Sequence, residues 1–166
     1  METAKVHMIY GASGAGKTTF AIKLAIKLKG VHFSIDRWMQ DLFGDDVPDP
    51  LTYEWIGERV GRCEERIWAT AKELAPLGVS PVLDLGFMKR ADRERFTDYV
   101  QDAGFELERH YLSASRELRR SRVMTRNEQQ GETYSVAMTP EMFEFAEELF
   151  EPPTPAEQKL ATHHES

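Results

Sequence analysis

Eight consecutive residues carry the clearest chemical signal in the chain: Gly11, Ala12, Ser13, Gly14, Ala15, Gly16, Lys17 and Thr18. Together they satisfy the pattern G-x4-G-K-[ST] in full. Glycines in these places let the backbone double back and aim successive N–H groups at one point, a nest for anions. A helix opening at the end of the motif adds the positive end of its dipole at the same point. Lys17 can reach the β- and γ-phosphates of a nucleotide, the Thr18 hydroxyl can ligate Mg²⁺, and Thr19 follows them into the helix. These residue types support binding of ATP together with its divalent cation.

Two carboxylates and a group of arginines extend that chemistry. Asp84 closes an otherwise apolar run, where a carboxylate is costly without a partner and could hold Mg²⁺ directly or through water. It could instead cap the segment that follows. Asp36 comes after a second apolar run, placed to accept a proton from an attacking hydroxyl. Its alternative is the N-cap of the next helix, a task Ser34 could also perform. Arg116, Arg119, Arg120, Arg122 and Arg126 fall within one short helix, and Arg119, Arg122 and Arg126 share a face. Only Glu117 and Glu128 are near in sequence, so the helix is expected to close over a polyphosphate and neutralise charge on a transferring phosphoryl group. An exposed basic helix is the other reading.

The elements that must position these groups follow from periodicity and punctuation. Residues 5–10 (KVHMIY) read as a buried strand, followed after the glycines by a helix with Phe20, Ala21, Leu24, Ala25 and Leu28 on one face and Gly30 as its stop. Residues 31–35 form a second candidate strand. Asp49 and Pro50 are expected to cap and open a long helix to about residue 77, with Ile56, Val60, Cys63, Ile67, Ala71 and Leu74 at helical spacing. Residues 81–85 (PVLDL) give a third strand, 91–103 a helix ended by Gly104, and 105–112 a fourth strand. The arginine helix comes next, then a connection over 129–137 that would hinge a lid spanning about 115–137. Thr139 and Pro140 open a last helix carrying Met142, Phe145, Ala146 and Leu149. Residues 1–158 are expected as one domain and 159–166 as a frayed polar tail. Alternating strands and helices imply an α/β fold in three layers, a central parallel sheet with its ligands beyond the strand carboxyl ends.

Composition narrows the setting. The 166 residues carry a formal charge of −7, which weighs against general adhesion to nucleic acid or an anionic membrane. There is no apolar run of membrane-spanning length and no basic-then-apolar leader, and the single Cys63 cannot form an internal disulfide. A cytoplasmic location is the resulting expectation. Cys63 lies on an apolar helix face and reads as packing. His7 and His32 fall inside strands, and His163 with His164 is too sparse for a metal site.

The chain resembles the adenylate-kinase-like branch of P-loop kinases. Within it the chain is similar to the group containing polynucleotide 5′-hydroxyl kinase, chloramphenicol phosphotransferase and zeta-type toxin kinases. The carrying residues are GASGAGKT, Ser34-Ile35-Asp36, the VLDLGF stretch ending at Phe87, and the run from Arg122 through Arg126 to Asn127. That resemblance implies Mg-ATP as donor, Asp36 as base, and Arg122 and Arg126 as lid arginines. Where adenylate kinases carry D-G-[FYI]-P-R, this chain has Asp84-Leu85-Gly86-Phe87-Met88-Lys89-Arg90, which argues against a nucleoside-monophosphate acceptor. The implied activity is transfer of the γ-phosphate of ATP to a hydroxyl of a small molecule, by a monomer or homodimer. Arg37, Trp38, Tyr53, Trp55, Arg59 and Arg62 are the candidate acceptor contacts, although the aromatic residues could fill the core and Arg59 and Arg62 could be helix surface. A nucleotide-dependent switch without an acceptor, and a kinase of polynucleotide 5′-hydroxyls, are the alternatives.

Overall fold

A computed structural model of the chain describes residues 2–130 and 137–166. Five parallel strands lie in the order β2-β3-β1-β4-β5: β1 (Val6–Tyr10), β2 (Val31–Ser34), β3 (Pro81–Asp84), β4 (Leu107–Ser113) and β5 (Ala161–Glu165). The centre belongs to β1, which pairs with β3 on one side and β4 on the other, and all five of its residues are buried. A strand buried on both faces needs apolar side chains pointing both ways. Val6, Met8 and Tyr10 face one side; Ile9 faces the other.

Helices cover both faces. On one, α1 (Lys17–Leu28) packs Ala21 and Ala25 against Ile9, Val82 and Leu112. On the other, α3 (Tyr53–Leu74) and α4 (Arg90–Asp102) bring Cys63, Ile67, Trp68, Phe96 and Val100 onto Met8, Phe33 and Leu83. Short α2 (Ile35–Phe43) joins β2 to α3. Each fully buried large side chain contributes about 1.5–3 kcal/mol, so the sheet–α3–α4 interface is the main hydrophobic anchor. The three-layer α/β expectation holds.

Three local expectations change. Helix α3 opens at Tyr53 with the Thr52 hydroxyl accepting from the Trp55 N–H, so Asp49 is not its cap. In α6 (Pro140–Leu149) the fully buried side chain is Phe143, whereas Met142, Phe145 and Leu149 stay exposed. The stretch 159–166 is not a frayed tail: α7 (Pro155–Leu160), closed by a Thr154–Glu157 capping box, leads into β5, which pairs with β4 from Arg109 to Ser113. The polar sequence ATHHE hides that strand, because an edge strand with half-open faces needs no apolar alternation. The expected hinge over 129–137 falls largely on residues outside those described.

The strand β5 docks partly through imidazoles. His7, His110 and His164 lie side by side across β1, β4 and β5, with His7 Nδ1 3.1 Å from His110 Nε2 and His110 Nδ1 3.2 Å from His164 Nε2. Phe20 of α1 packs on the His110 and His164 rings. Burial lowers the basicity of all three, and mutual repulsion helps to bring His110 down to about 4. The unfolded chain therefore binds more protons once pH falls below about 6.5, the ordinary imidazole value. This contribution to stability is complete above that pH, is lost as pH falls towards about 4, and changes no further below it. In thermal melts, His110→Phe should flatten the decline of Tm over that window relative to wild type. Equal slopes would show that the ladder is not coupled to folding.

Candidate nucleotide and phosphate site

The eight-residue loop leaves β1 at the carboxyl end of the sheet, where β1 connects away past β3 and the strand order reverses. Ala12 and Ala15 are buried beneath it, Ser13, Gly14 and Gly16 are half-buried, and Thr19 on the first turn of α1 is exposed. Two glycines are dictated by close approach. A Cβ on Gly11, at φ 154°, would collide with the Leu112 carbonyl oxygen of β4. One on Gly14, at φ 79°, would strike the backbone of Arg119 in α5 (Arg116–Gln129). Helix α5 is thus seated directly on the loop.

Lys17 Nζ donates to the carbonyls of Gly11 at 2.7 Å and Ala12 at 3.1 Å, which holds the ammonium at the cradle. The Thr18 hydroxyl donates to Asp84 Oδ2 at 2.9 Å. His32 Nε2 stands 3.1 Å from the same oxygen. Asp84 is buried at the end of β3 and spends its carboxylate on these two side chains rather than on a helix cap. Because Thr18 gives its proton to Asp84, its oxygen lone pairs are free, and the pair fits a hard divalent cation.

Asp36 sits in the first turn of α2. Its capping alternative is decided by Ser34, whose Oγ accepts the Arg37 N–H at 3.3 Å. Asp36 is exposed to solvent at its surface, although the surrounding protein displaces part of the water around its carboxyl. Desolvation and then the Asp84 charge push its carboxyl above the ordinary aspartate value, opposed by Lys17 and Arg126. Desolvation lowers the half-buried Lys17 ammonium in turn, while Asp84 and Asp36 oppose the shift. Four groups from four elements, Lys17, Asp36, Asp84 and Arg126, are therefore close enough to act on one another.

The arginine helix is more divided than its sequence suggests. Arg122 lies by the loop, donating to the Gly14 carbonyl at 3.4 Å and to Ser166 Oγ at 3.3 Å. Arg126 keeps its Nε buried and without a partner among the described residues. Arg116 and Arg119, by contrast, are compensated from α6: Arg116 pairs with Glu144 and Arg119 with both oxygens of Glu147. Arg119 also donates to the carbonyls of Ala114 and Ser13, bracing the loop from behind. The expectation that only Glu117 and Glu128 lie near enough to compensate is corrected by these partners, which are distant in sequence. Asn127 brackets the segment outside the described residues by bonding both backbone groups of Met138.

The candidate acceptor contacts also separate. Trp38 packs on the core beside Phe33, and Arg59 lies 4.1 Å over the Trp55 ring while donating to the Trp55 carbonyl. These contacts favour the core-filling alternative for Trp38 and lay Arg59 along its own helix. Arg37 and Arg62 are exposed, and exposed Tyr53 stacks on Phe145 of α6. A separate cavity of about 160 Å³, walled by Tyr10, Arg93, Arg109 and Glu157, shares no residue with the cradle. Two features escape sequence reading: the His32 contact to Asp84, and Arg93, which bonds Glu157 and the Phe87 carbonyl and so holds the loop after Asp84. A histidine two residues before the strand end was the only available signal for the first; nothing local marks the second.

Fold and cradle together define a P-loop domain. The sequence model of an AAA domain family, AAA_33, matches residues 6–152, and the protein belongs to that family. No curated protein sequence matches the chain. Among solved structures, a protein of Chloroflexus aurantiacus j-10-fl, provisionally described as a kinase, is similar with a TM-score of 0.72 at 21% identity, over 99% of this chain and 89% of that one. Chaetomium thermophilum Kti12 in complex with ADP-AlF3 aligns with a TM-score of 0.69 at 16% identity, over 97% and 88% of the two chains. A gluconokinase from Sinorhizobium meliloti 1021 gives 0.62 at 14% identity, over 98% and 82%. At these identities the likeness is one of fold.

Removing Glu147 would leave the guanidinium of Arg119 without its charged partner. Because the pair retains some solvent contact, Glu147→Ala should cost about 1–3 kcal/mol. It should also loosen the loop, so calorimetry and nucleotide titration should both register the change. An unaltered Tm would mean that Arg119 is held adequately by the Ser13 and Ala114 carbonyls.

Proposed function

We propose that the protein is an ATP-dependent phosphotransferase acting on a hydroxyl of a small molecule, with Asp36 as the base. The observation that carries this reading is the Lys17 cradle with the Thr18–Asp84 pair beside it, where the charges of Asp36 and Arg126 also act on Lys17. The backbone of Gly11 to Thr18, with Lys17, holds the β- and γ-phosphates of ATP. Thr18 and Asp84 face Mg²⁺, which when bound offsets phosphate charge. Arg122 and Arg126 approach from α5 to neutralise charge on the transferring group and to exclude water, with Arg119 bracing the loop beneath the nucleotide. Asp36 orients the acceptor hydroxyl and takes its proton, while Arg37, Tyr53 and Arg62 are the remaining acceptor contacts. Helix α5, already seated on the loop, serves as the lid. Phosphoryl transfer depends chiefly on such positioning and electrostatics.

The fold neighbours include a gluconokinase, which is compatible with a small acceptor. No described helix is long and apolar enough to cross a membrane. An acidic chain in a cytoplasmic setting suits a small metabolite better than a polynucleotide, whose binding would require a basic groove.

The test is transfer from γ-labelled ATP with Mg²⁺ to a panel of hydroxyl compounds: sugars, nucleosides, nucleotide-sugars, aminoglycosides, phenicols and a 5′-hydroxyl oligonucleotide. Label should enter one small-molecule class. Lys17→Ala should abolish transfer, and Asp36→Asn should lower kcat by ~10²–10⁴ while ATP still binds. Label released only as phosphate, equally from wild type and Asp36→Asn, would replace the kinase reading with that of a nucleotide switch.

With an acceptor in hand, the pH profile tests the base separately. Asp36 must be ionised to accept a proton, and its carboxyl is held above the ordinary aspartate value. The acid limb of kcat/KM should therefore lie above the ordinary aspartate value and be absent from the residual activity of Asp36→Asn. A limb that persists in Asp36→Asn would assign it to another group.

A further inference from the structure

Asp84 Oδ2 is approached by two side chains, and only one of them belongs to the phosphate motif. The Thr18 hydroxyl arrives from α1 at 2.9 Å. His32 Nε2 arrives from β2 at 3.1 Å. In the parallel pairing of β2 with β3, Ser34 stands opposite Asp84 and His32 opposite Val82. His32 is thus the diagonal neighbour of Asp84 on the sheet face covered by α1, within reach of a long side chain. Both groups are shielded from water, the side chain of His32 at 18% exposure and that of Asp84 at 6%. A carboxylate oxygen only accepts, so Nε2 must be the protonated nitrogen of the ring.

We infer that His32 is a positioning residue for the divalent cation: its Nε2–H fixes the Asp84 carboxylate so that the Thr18 oxygen and Asp84 Oδ1 face the metal. The inference rests on reading Thr18 and Asp84 as the metal-facing pair. With Oδ2 saturated by two donors, the carboxylate cannot rotate without breaking both bonds. Thr18 then has one acceptor for its proton and a defined direction for its lone pairs. Removal of the imidazole leaves Asp84 tethered through Thr18 alone, free to turn about its χ2 angle, and a rotating carboxylate is a poorer partner for a cation that demands fixed geometry. Outer partners of this kind typically tune metal affinity by 10–100-fold. His32 itself touches neither nucleotide nor metal in this arrangement, so its loss should weaken the cation while sparing nucleotide contacts made by the backbone nest.

Manganese serves as the probe. The full-length protein, with a non-hydrolysable ATP analogue bound, is titrated with Mn²⁺ and free ion is read by electron paramagnetic resonance. Wild type is compared with His32→Leu, His32→Ala and His32→Gln. Nucleotide affinity in EDTA and Tm are measured in parallel. The Leu and Ala variants should bind Mn²⁺ ~10-fold or more weakly, with nucleotide affinity in EDTA unchanged. His32→Gln, whose amide nitrogen can donate in place of Nε2, should recover most of the loss. Two deletion variants guard against one failing to fold.

Mn²⁺ binding by either folded deletion variant at the wild-type level would overturn the inference. So would a Gln variant as weak as Leu, or a loss of nucleotide affinity in EDTA that matches the loss of Mn²⁺. The kinase reading stands or falls elsewhere. Wild type that binds Mn²⁺ as expected, yet labels no acceptor, would overturn that reading and leave the role of His32 intact.

Discussion

The architecture depends on one constraint: β1 must lie in the interior of a parallel sheet, buried on both faces and paired on both edges. Its residues from Val6 to Tyr10 supply apolar groups in both directions, and the burial anchors the strand against α1 on one side and α3–α4 on the other. The loop that follows then has to emerge at the carboxyl end between β3 and β4. Every other part of the site is defined relative to that exit. Asp84 comes from the strand on one side, Leu112 closes against Gly11 from the strand on the other, and α5 rests on Gly14.

Charge is arranged in two tiers around that exit. Behind the loop, Arg119 is saturated by Glu147 and backbone carbonyls, and serves as a strut between α5, α6 and the cradle. In front of it, the charges of Asp84, Asp36 and Arg126 act on Lys17, and Arg126 Nε has no hydrogen-bond partner among the described residues. A strut is useful because it is already satisfied, whereas a group proposed to meet phosphate is useful because it is not. The same helix supplies both, Arg119 for the first and Arg126 for the second, seven positions apart on one face.

The far edge of the sheet extends this design. Strand β5 is nearly all polar, yet it pairs along five positions with β4, and His164 joins the imidazole ladder that starts at buried His7. Ser166, just past the strand, reaches both the Ser113 carbonyl and Arg122, so the edge strand ends beside the loop. Helix α7 and the Arg93–Glu157 pair tie the same segment to the turn after Asp84. The carboxyl-terminal segment is therefore a part of the frame of the site.

The sequence by itself determined the features whose physics is local. The glycine-rich loop, Lys17, Thr18 and the flanking strand and helix follow from spacing within about twenty-five residues, and the alternating pattern implied a parallel sheet. Asp84 was visible because a carboxylate in an apolar run demands a partner, and Asp36 because a strand end leads into a cleft. Tertiary structure alone decided the identity of partners far apart in the chain: His32 as well as Thr18 on Asp84, Glu147 on Arg119, Glu157 on Arg93. It also decided the edge strand, since ATHHE earns its place by backbone pairing and stacked imidazoles rather than by an apolar pattern. Hydrogen bonds and ion pairs across the fold leave no periodic trace in sequence, because each partner is chosen by where the packed helices and strands happen to bring a side chain.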